Sequence, residues 1–145
     1  MIRARYKLTG WNTNQLKARI PAILTKYGAA LDQTLKAEIK AIKYVWPPGR
    51  VTRRRNGQTV TSPRDIVDLG GFLRSQERSR PSATELLFRW NAPYSKAILT
   101  GYTTTPRVGP GVVVPPRNWV RPALEALPLD RFFADEWKAL AKRSL

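Results

Sequence analysis

The feature that most constrains the fold is a run of apolar residues spaced three or four positions apart, from about Thr13 to about Tyr44. Its members are Leu16, Ile20, Ile23, Leu24, Tyr27, Leu31, Leu35, Ile39 and Ile42. Residues at this spacing share one side of an α-helix, so the pattern predicts one long amphipathic helix. Thr13 is a suitable N-cap. Pro21 lacks an amide donor and is expected either to kink the helix or to mark its first turn.

Two segments have the period of two that is typical of half-buried strands. Residues 2–8 alternate apolar residues with basic ones, which predicts a strand whose outer face carries Arg3, Arg5 and Lys7. In residues 84–90 one face is predicted to consist of Leu86, Phe88 and Trp90. Between them, Asp68-Leu69-Gly70-Gly71 is expected to be a turn that leads into an extended segment over residues 72–78.

The second half of the chain is predicted to contain short helices around a long loop. Residues 93–99 suit one helix with Pro93 at its first position. Residues 101–116 are rich in Gly and Pro and have no helical period, so they are expected to form a structureless loop around Val112, Val113 and Val114. Helices are predicted over 119–127 and 129–143, separated by Pro128.

These elements predict a single α+β domain over residues 1–145. Its expected architecture is a small, mainly antiparallel β-sheet packed on one long N-terminal helix, with a C-terminal helical segment and extended loops. The stretches 50–67 and 101–116 are expected to be arms of this domain. No apolar run approaches the roughly 20 residues that crossing a bilayer requires.

Positive charge dominates the composition, with 26 Lys and Arg against 10 Asp and Glu, a formal net charge of +16. Residues 1–81 carry +12 of that total. A field of this sign concentrates polyanions and accelerates encounters with them. It is equally suited to contacts with acidic neighbouring proteins, and the sequence leaves these two uses open.

An arginine-rich stretch follows the long helix. Asn56-Gly57 favours the type I′ turn of a two-residue hairpin, so residues 50–67 are predicted to form a basic hairpin or a mobile loop. The lysines of the long helix recur at i, i+4 and i+7 and form a second basic row. Contacts with DNA or with an acidic partner are therefore expected from Arg50, Arg53, Arg54, Arg55, Arg64, Lys36, Lys40 and Lys43.

The usual chemistry of catalysis is missing from the sequence. The chain has no His and no Cys, which removes the commonest general base, thiol nucleophiles and the usual zinc ligands. Four carboxylates are candidates for the metal cluster of a nuclease, but turn or surface roles explain them better: Asp65, Asp68, Glu77 and Glu85. We therefore expect a protein that is not an enzyme, with no catalytic residues, metal, cofactor or small-molecule substrate.

Three segments together resemble a known family. Residues 68–75 (DLGGFLRS) are similar to the D-T-G-x-L-R-x-S motif of the small neck and tail-completion proteins of tailed bacteriophages. Residues 94–102 (YSKAILTGY) are similar to that family's Y-A-x-x-x-E-x-G-T motif, and residues 116–124 (PRNWVRPAL) to its P-x-R-P-F-L-R-P-A-L motif. The resemblance spans roughly residues 14–127. Leu99 stands where the family usually has Glu, and Gly71 is an insertion.

The resemblance implies a structural virion protein that forms a ring at the head–tail junction as a neck, tail-completion or tail-terminator subunit. It implies a homo-oligomer, with a hexamer favoured over a dodecamer, assembled in the host cytoplasm between the portal-side connector and the tail proteins. Genomic DNA would pass through its channel. Val112, Val113 and Val114 would belong to an arm that contacts a neighbouring subunit. The alternative is a stand-alone basic nucleic-acid-binding module.

Overall fold

The computed structural model describes residues 2–7, 14–41, 52–53, 57, 59–60, 70–103, 111 and 113–142. Its elements, in chain order, are β1 (Ile2–Lys7), α1 (Asn14–Lys40), β2 (Thr52–Arg53), β3 (Thr59–Val60), α2 (Gly71–Arg74), β4 (Gln76–Ser82), β5 (Glu85–Trp90), α3 (Ser95–Thr100), β6 (Tyr102–Thr103), β7 (Val113–Val114), α4 (Val120–Ala126) and α5 (Leu129–Lys142). The predicted α+β class is confirmed. None of the described helices combines the length and the apolarity that crossing a membrane requires.

The long helix α1 forms where the apolar spacing predicted it. Its buried side is the predicted stripe, and the described members Ile20, Leu24, Leu31 and Ile39 are at most 5% exposed. Pro21 lies inside the helix as its eighth residue, so the alternative in which it marks the first turn is wrong. Burial of this stripe against the sheet and the C-terminal helices removes its apolar surface from water, which is the main favourable term in folding.

The principal sheet has three antiparallel strands in the order β1-β5-β4. Leu86, Phe88 and Trp90 of β5 are buried in one cluster with the helix α1, as the alternation predicted. The register pairs Ile2 with Trp90 and Arg3 with Arg89. Arg3 is therefore at a position on the sheet face opposite the helix, as the period of two predicted.

Strand β4 runs alongside α1 in the opposite direction, and three of its side chains contact the helix in order along its length. Gln76 Nε2 donates to Asp32 Oδ1 at 2.9 Å, and Arg80 Nη1 donates to the carbonyl oxygen of Pro21 at 2.9 Å. Between these two contacts, the Arg78 side chain passes Gly28. From Asp32 to Gly28 the helix advances about 6 Å over four residues, which matches the roughly 6.8 Å that two residues of the strand advance. The long Arg80 side chain reaches farther, to Pro21, seven residues before Gly28.

The helix packs closely against the sheet at Gly28. A Cβ atom at this position would lie 2.9 Å from Leu86 Cδ1 and 3.3 Å from Arg78 Cδ. Glycine costs about 1 kcal/mol of helix propensity relative to alanine. The space that it leaves admits the buried Leu86 side chain and the Arg78 stem.

The segment after the Gly70-Gly71 pair is partly helical, which corrects the prediction of an extended run from residue 72. Gly70 adopts a left-handed φ of 73°, and Gly71–Arg74 form a single helical turn, α2, before β4 begins at Gln76. Phe72 of this turn is buried in the core. A single turn is too short to show helical periodicity in the sequence, so burial of Phe72 decides the local conformation.

The 101–116 segment is also more ordered than predicted. Its ends pair as a hairpin, with Tyr102 opposite Val114 and Thr103 opposite Val113, and the expected structureless loop is therefore wrong at both ends. Gly101 turns the chain with a φ of 76°, and a Cβ there would lie 2.8 Å from the Val114 carbonyl oxygen. Residues 104–110 and Val112 lie outside the described residues.

The remaining short helices follow the predictions with small shifts. Helix α3 begins at Ser95, two residues after Pro93, which lies in the preceding turn. Helices α4 and α5 are separated at Leu127 and Pro128, as expected. Phe133 of α5 is buried in a second cluster with α1. The Leu140 side chain lies outside the described residues.

Replacing Gly28 with leucine should destabilise the fold by about 1–3 kcal/mol, because the added side chain overpacks the contact with Leu86. Urea denaturation measures the loss. Ala29→Leu is the matched control, since Ala29 is exposed on the same helix. Equal midpoints for the two variants would contradict the close approach at Gly28.

Candidate functional site

The exposed side of α1 carries small or uncharged polar residues between its cations. Ala18, Ala22, Thr25, Ala29 and Gln33 are all exposed and lie on the surface opposite the buried stripe. The large hydrophobic residues that are exposed in the described chain, Tyr94, Tyr102 and Val113, are not on this helix. Among the described residues, this surface therefore lacks the exposed apolar anchors of a typical protein–protein interface.

Two arginines of β4 border this surface on one side. Arg80 is exposed, and its Nη1 is held by the carbonyl oxygen of Pro21 at 2.9 Å and by Thr25 Oγ1 at 3.5 Å. Arg78 is exposed next to Gly28. The guanidinium group has five N–H donors, so Arg80 keeps donors for a ligand while its position against the helix is fixed.

Two cations of α1 border the surface on the side of α5. The Arg19 guanidinium carbon lies 5.9 Å from the centroid of the Trp137 ring, a cation–π contact. Lys26 Nζ lies 2.6 Å from Glu136 Oε2 in an exposed ion pair. Pairs of this kind contribute little stability, but both hold a cation at the junction of the two helices.

The predicted lysine row is only partly available for binding. Lys36 is half-buried, and its Nζ lies 2.6 Å from Asp32 Oδ2. Lys40 is exposed at the end of α1. Lys43 lies outside the described residues. The prediction that Lys36 is a contact residue stays a prediction, but its charge is already partly neutralised by Asp32.

We call this surface the basic face and define it by the exposed side of α1 with the cations around it: Arg19, Lys26, Lys36, Lys40, Arg78 and Arg80. Two carboxylates lie beside it, Asp32 and Glu136, and both are paired with lysines. Six cations against two carboxylates give a local formal charge of +4. Such a surface can bind polyanions through nonspecific electrostatic attraction.

A chain of hydrogen bonds ties the basic face to the core. The buried Trp90 indole donates to Gln76 Oε1 at 3.1 Å, and Gln76 Nε2 donates to Asp32 Oδ1 at 2.9 Å. Asp32 in turn accepts from Lys36 at 2.6 Å. The chain satisfies a buried indole donor and fixes β4 against α1, because an unpaired buried donor costs about 1–3 kcal/mol.

The predicted arginine contacts of the 50–67 stretch fall almost entirely outside the described residues. Arg50, Arg54, Arg55 and Arg64 lie outside the described residues, and of Arg53 the structure describes the backbone in β2. The predicted hairpin is confirmed, since Arg53 pairs with Thr59. Asn56 of the predicted Asn-Gly turn lies outside the described residues. Gly57 has the left-handed φ, 81°, expected of a turn glycine.

Of the four carboxylates considered for a metal cluster, the two described ones, Glu77 and Glu85, lie apart. Asp65 and Asp68 lie outside the described residues. Glu77 lies opposite Arg89 and Glu85 opposite Ser82, near the two ends of the β4–β5 pair. Four residues of β5 separate those positions, a distance of roughly 13 Å. Within the described part of the chain, no group of three potential metal ligands lies together.

The valines of the predicted arm differ in their exposure to solvent. Val113 of β7 is 70% exposed, whereas Val114 is buried. Val112 lies outside the described residues. Tyr102 of β6 is 42% exposed, so this hairpin presents apolar surface that the basic face lacks.

Sequence reasoning did not single out Arg78 and Arg80 as site residues. Their spacing of two residues, with Gln76 two positions before Arg78, is a strand signal that places all three on one face. The sequence could not show that this face borders α1. Comparisons of the chain with protein-family models, curated proteins and solved structures find no match.

The Asp32 carboxylate should give stability a measurable dependence on pH. Burial raises its pKa, but hydrogen bonds from Lys36 and Gln76, with the charges of Lys36 and Arg78, outweigh burial and lower the pKa below the ordinary value of 3.8. Because the pKa of Asp32 is lower in the folded state than in the unfolded state, its negative charge stabilises the fold above about pH 3.8. This stabilisation is lost as the pH falls through the folded-state pKa.

Asp32→Asn should therefore be less stable than the wild type at pH 6, and the difference should shrink on acidification below about pH 3.8. Urea denaturation across this range checks the prediction. The control introduces Asp32→Asn into a Lys36→Gln background. There the substitution should lower stability by less than it does in the wild type, because the lysine that pairs with Asp32 is absent. A stability difference that is constant with pH would contradict the role of the Asp32 charge.

Proposed function

We propose that this chain is a non-enzymatic structural protein of a tailed bacteriophage, forming a ring at the head–tail junction as a neck, tail-completion or tail-terminator subunit. The observation that carries the proposal is the meeting of the three family-like segments in space. They are separated in the sequence, and they contribute to one aromatic cluster.

The cluster is built from one aromatic residue of each segment. Phe72 packs edge-on against Trp119 with ring centroids 4.8 Å apart, and it lies 6.2 Å from the Tyr94 ring. Trp90 packs edge-on against Trp119 at 5.3 Å. The backbone adds a direct link, from the Arg117 amide to the Ile98 carbonyl oxygen at 2.9 Å. Motifs that form one structural unit are better support for a family resemblance than three separate sequence matches.

A ring subunit needs a rigid body and projecting elements that reach its neighbours. In this proposal the body is the α1–sheet core, and the β6–β7 hairpin, with its exposed Tyr102 and Val113, is the element that reaches a neighbour. An isolated two-stranded hairpin is at best marginally stable in water. Its exposed Val113 and Tyr102 would gain burial from an adjacent subunit, and a heterologous contact of this kind can close into a ring.

The proposed ring is a homo-oligomer, with a hexamer favoured, between the portal-side connector and the tail proteins of the virion. The net charge of +16 supports a position next to a polyanion or acidic neighbours. The function requires no cofactor, metal or small-molecule substrate. The family resemblance is the source of the junction and ring assignment, and fold alone does not define function.

A stand-alone nucleic-acid-binding module is the second candidate. The basic face favours it, because its cations surround a surface without apolar anchors. The two functions differ in assembly state, since a stand-alone module binds DNA as a monomer.

Light scattering should give a mass several times 16.5 kDa when the chain is mixed with the adjoining connector and tail proteins. Electron microscopy of the same mixture should show rings. A monomer mass both alone and in the mixture would overturn the proposal. A monomer that binds duplex DNA with sub-micromolar affinity at physiological salt would favour the stand-alone module.

Val113→Asp should weaken the assembly by at least tenfold in subunit affinity, because an exposed valine buried by a neighbour would become an unpaired charge, at a cost of about 1.4 kcal/mol or more. Sedimentation velocity measures the shift toward monomer. Ala134→Asp places the same charge at an exposed position of α5 and should leave assembly unchanged. Assembly of the Val113→Asp variant at wild-type concentrations would exclude this hairpin from the subunit contact.

A further inference from the structure

We infer that the basic face binds the phosphate backbone of duplex DNA without reading its sequence, with Arg78 and Arg80 as principal contacts. The inference rests on the proposed function and assigns one of its partners to a surface. Neither arginine was assigned a role by the sequence. Four cations of the face form no ion pair with a described carboxylate: Arg19, Lys40, Arg78 and Arg80.

The composition of the face favours DNA over an acidic protein. Protein–protein interfaces have fully buried cores enriched in aromatic residues, and their binding energy concentrates in such anchors. Protein–DNA interfaces are more polar and much more positive. The exposed residues of α1 between the cations include Ala22, Ala29 and Gln33, and the large exposed hydrophobic residues of the described chain lie in other elements.

The arrangement of the arginines favours contact with phosphates. Arg80 is fixed by the Pro21 carbonyl oxygen and by Thr25, so less side-chain entropy is lost when its remaining donors bind. Arginine also matches the geometry of phosphate oxygens with paired N–H donors. Alanine side chains beside these cations offer no hydrogen bonds to base edges. Phosphate contacts position a protein on DNA and carry no sequence information directly.

The helix provides an extended surface along which charges can follow a backbone. Arg80 binds the Pro21 carbonyl oxygen and Arg78 passes Gly28, seven residues or about two helical turns farther along α1, while Lys40 lies at the C-terminal end of the helix. The 27 residues of α1 extend about 40 Å. Several phosphates can therefore be contacted at once, and each neutralised phosphate releases counterions.

The test uses the full-length chain and two 20-base-pair duplexes of unrelated sequence, with fluorescence anisotropy measured from 50 to 200 mM salt. The test variant is Arg78→Gln/Arg80→Gln, and the control is Lys96→Gln/Arg131→Gln, which removes the same charge from exposed positions of α3 and α5. Each phosphate contact contributes about −0.9 to the slope of log K against log salt concentration. The slope of the test variant should therefore be less steep than that of the wild type by about 1.8 for both duplexes.

The control should keep a slope within about 0.5 of the wild type, and circular dichroism with thermal denaturation should confirm that all variants fold. Equal slopes for the test and control variants would overturn the inference. Stronger competition by polyglutamate than by duplex DNA at equal charge concentration would also overturn it, in favour of an acidic protein partner.

Light scattering on the same variants, alone and mixed with the adjoining connector and tail proteins, separates this inference from the proposed function. Wild-type slopes in the Arg78→Gln/Arg80→Gln variant, with rings intact in the mixture, would refute the DNA contact and leave the ring. A wild-type chain that is monomeric both alone and in the mixture, together with the expected loss of slope in the variant, would refute the ring and leave the DNA contact.

Discussion

The close approach of α1 to the sheet at Gly28 is the constraint on which the rest of the structure depends. Without a side chain there, Leu86 enters the core and the Arg78 stem crosses the helix. This close approach fixes the position of β4 along α1, so the Gln76 side chain reaches Asp32 and the Arg80 side chain reaches Pro21. One packing contact therefore determines both the hydrogen-bond chain from Trp90 and the position of the two arginines.

Periodicity predicted the elements that are long enough to show it. The stripe of α1, the alternation of β5 and the paired C-terminal helices are confirmed because burial of one face selects those spacings. Helix α2 and the β6–β7 hairpin were missed because four-residue and two-residue elements have no measurable period. Their conformations depend on tertiary contacts, such as burial of Phe72 and the close packing of Gly101 against Val114.

The candidate site was less predictable than the fold, because its parts come from elements distant in sequence. The lysine row was visible on one helix, but the ion pair that occupies Lys36 involves Asp32, which Gln76 also binds. The placement of Arg78 and Arg80 beside that helix depends on the order of strands in the sheet. Charge counts locate a basic segment, whereas the register between strand and helix determines which cations share a surface.

The aromatic cluster contributes to the stability of the fold, whereas the basic face carries a concentration of positive charge. Trp90 links the two features, since its ring packs on Trp119 while its indole N–H begins the hydrogen-bond chain to Asp32.

Cations at the border of α1 repel one another, and this repulsion opposes folding and assembly. Core burial offsets the repulsion within one subunit. In a closed ring the repulsion grows with each added copy, so an anionic partner that neutralises the basic face would also favour ring closure. Binding and assembly would then be thermodynamically linked, because a ligand that prefers the assembled state stabilises that state.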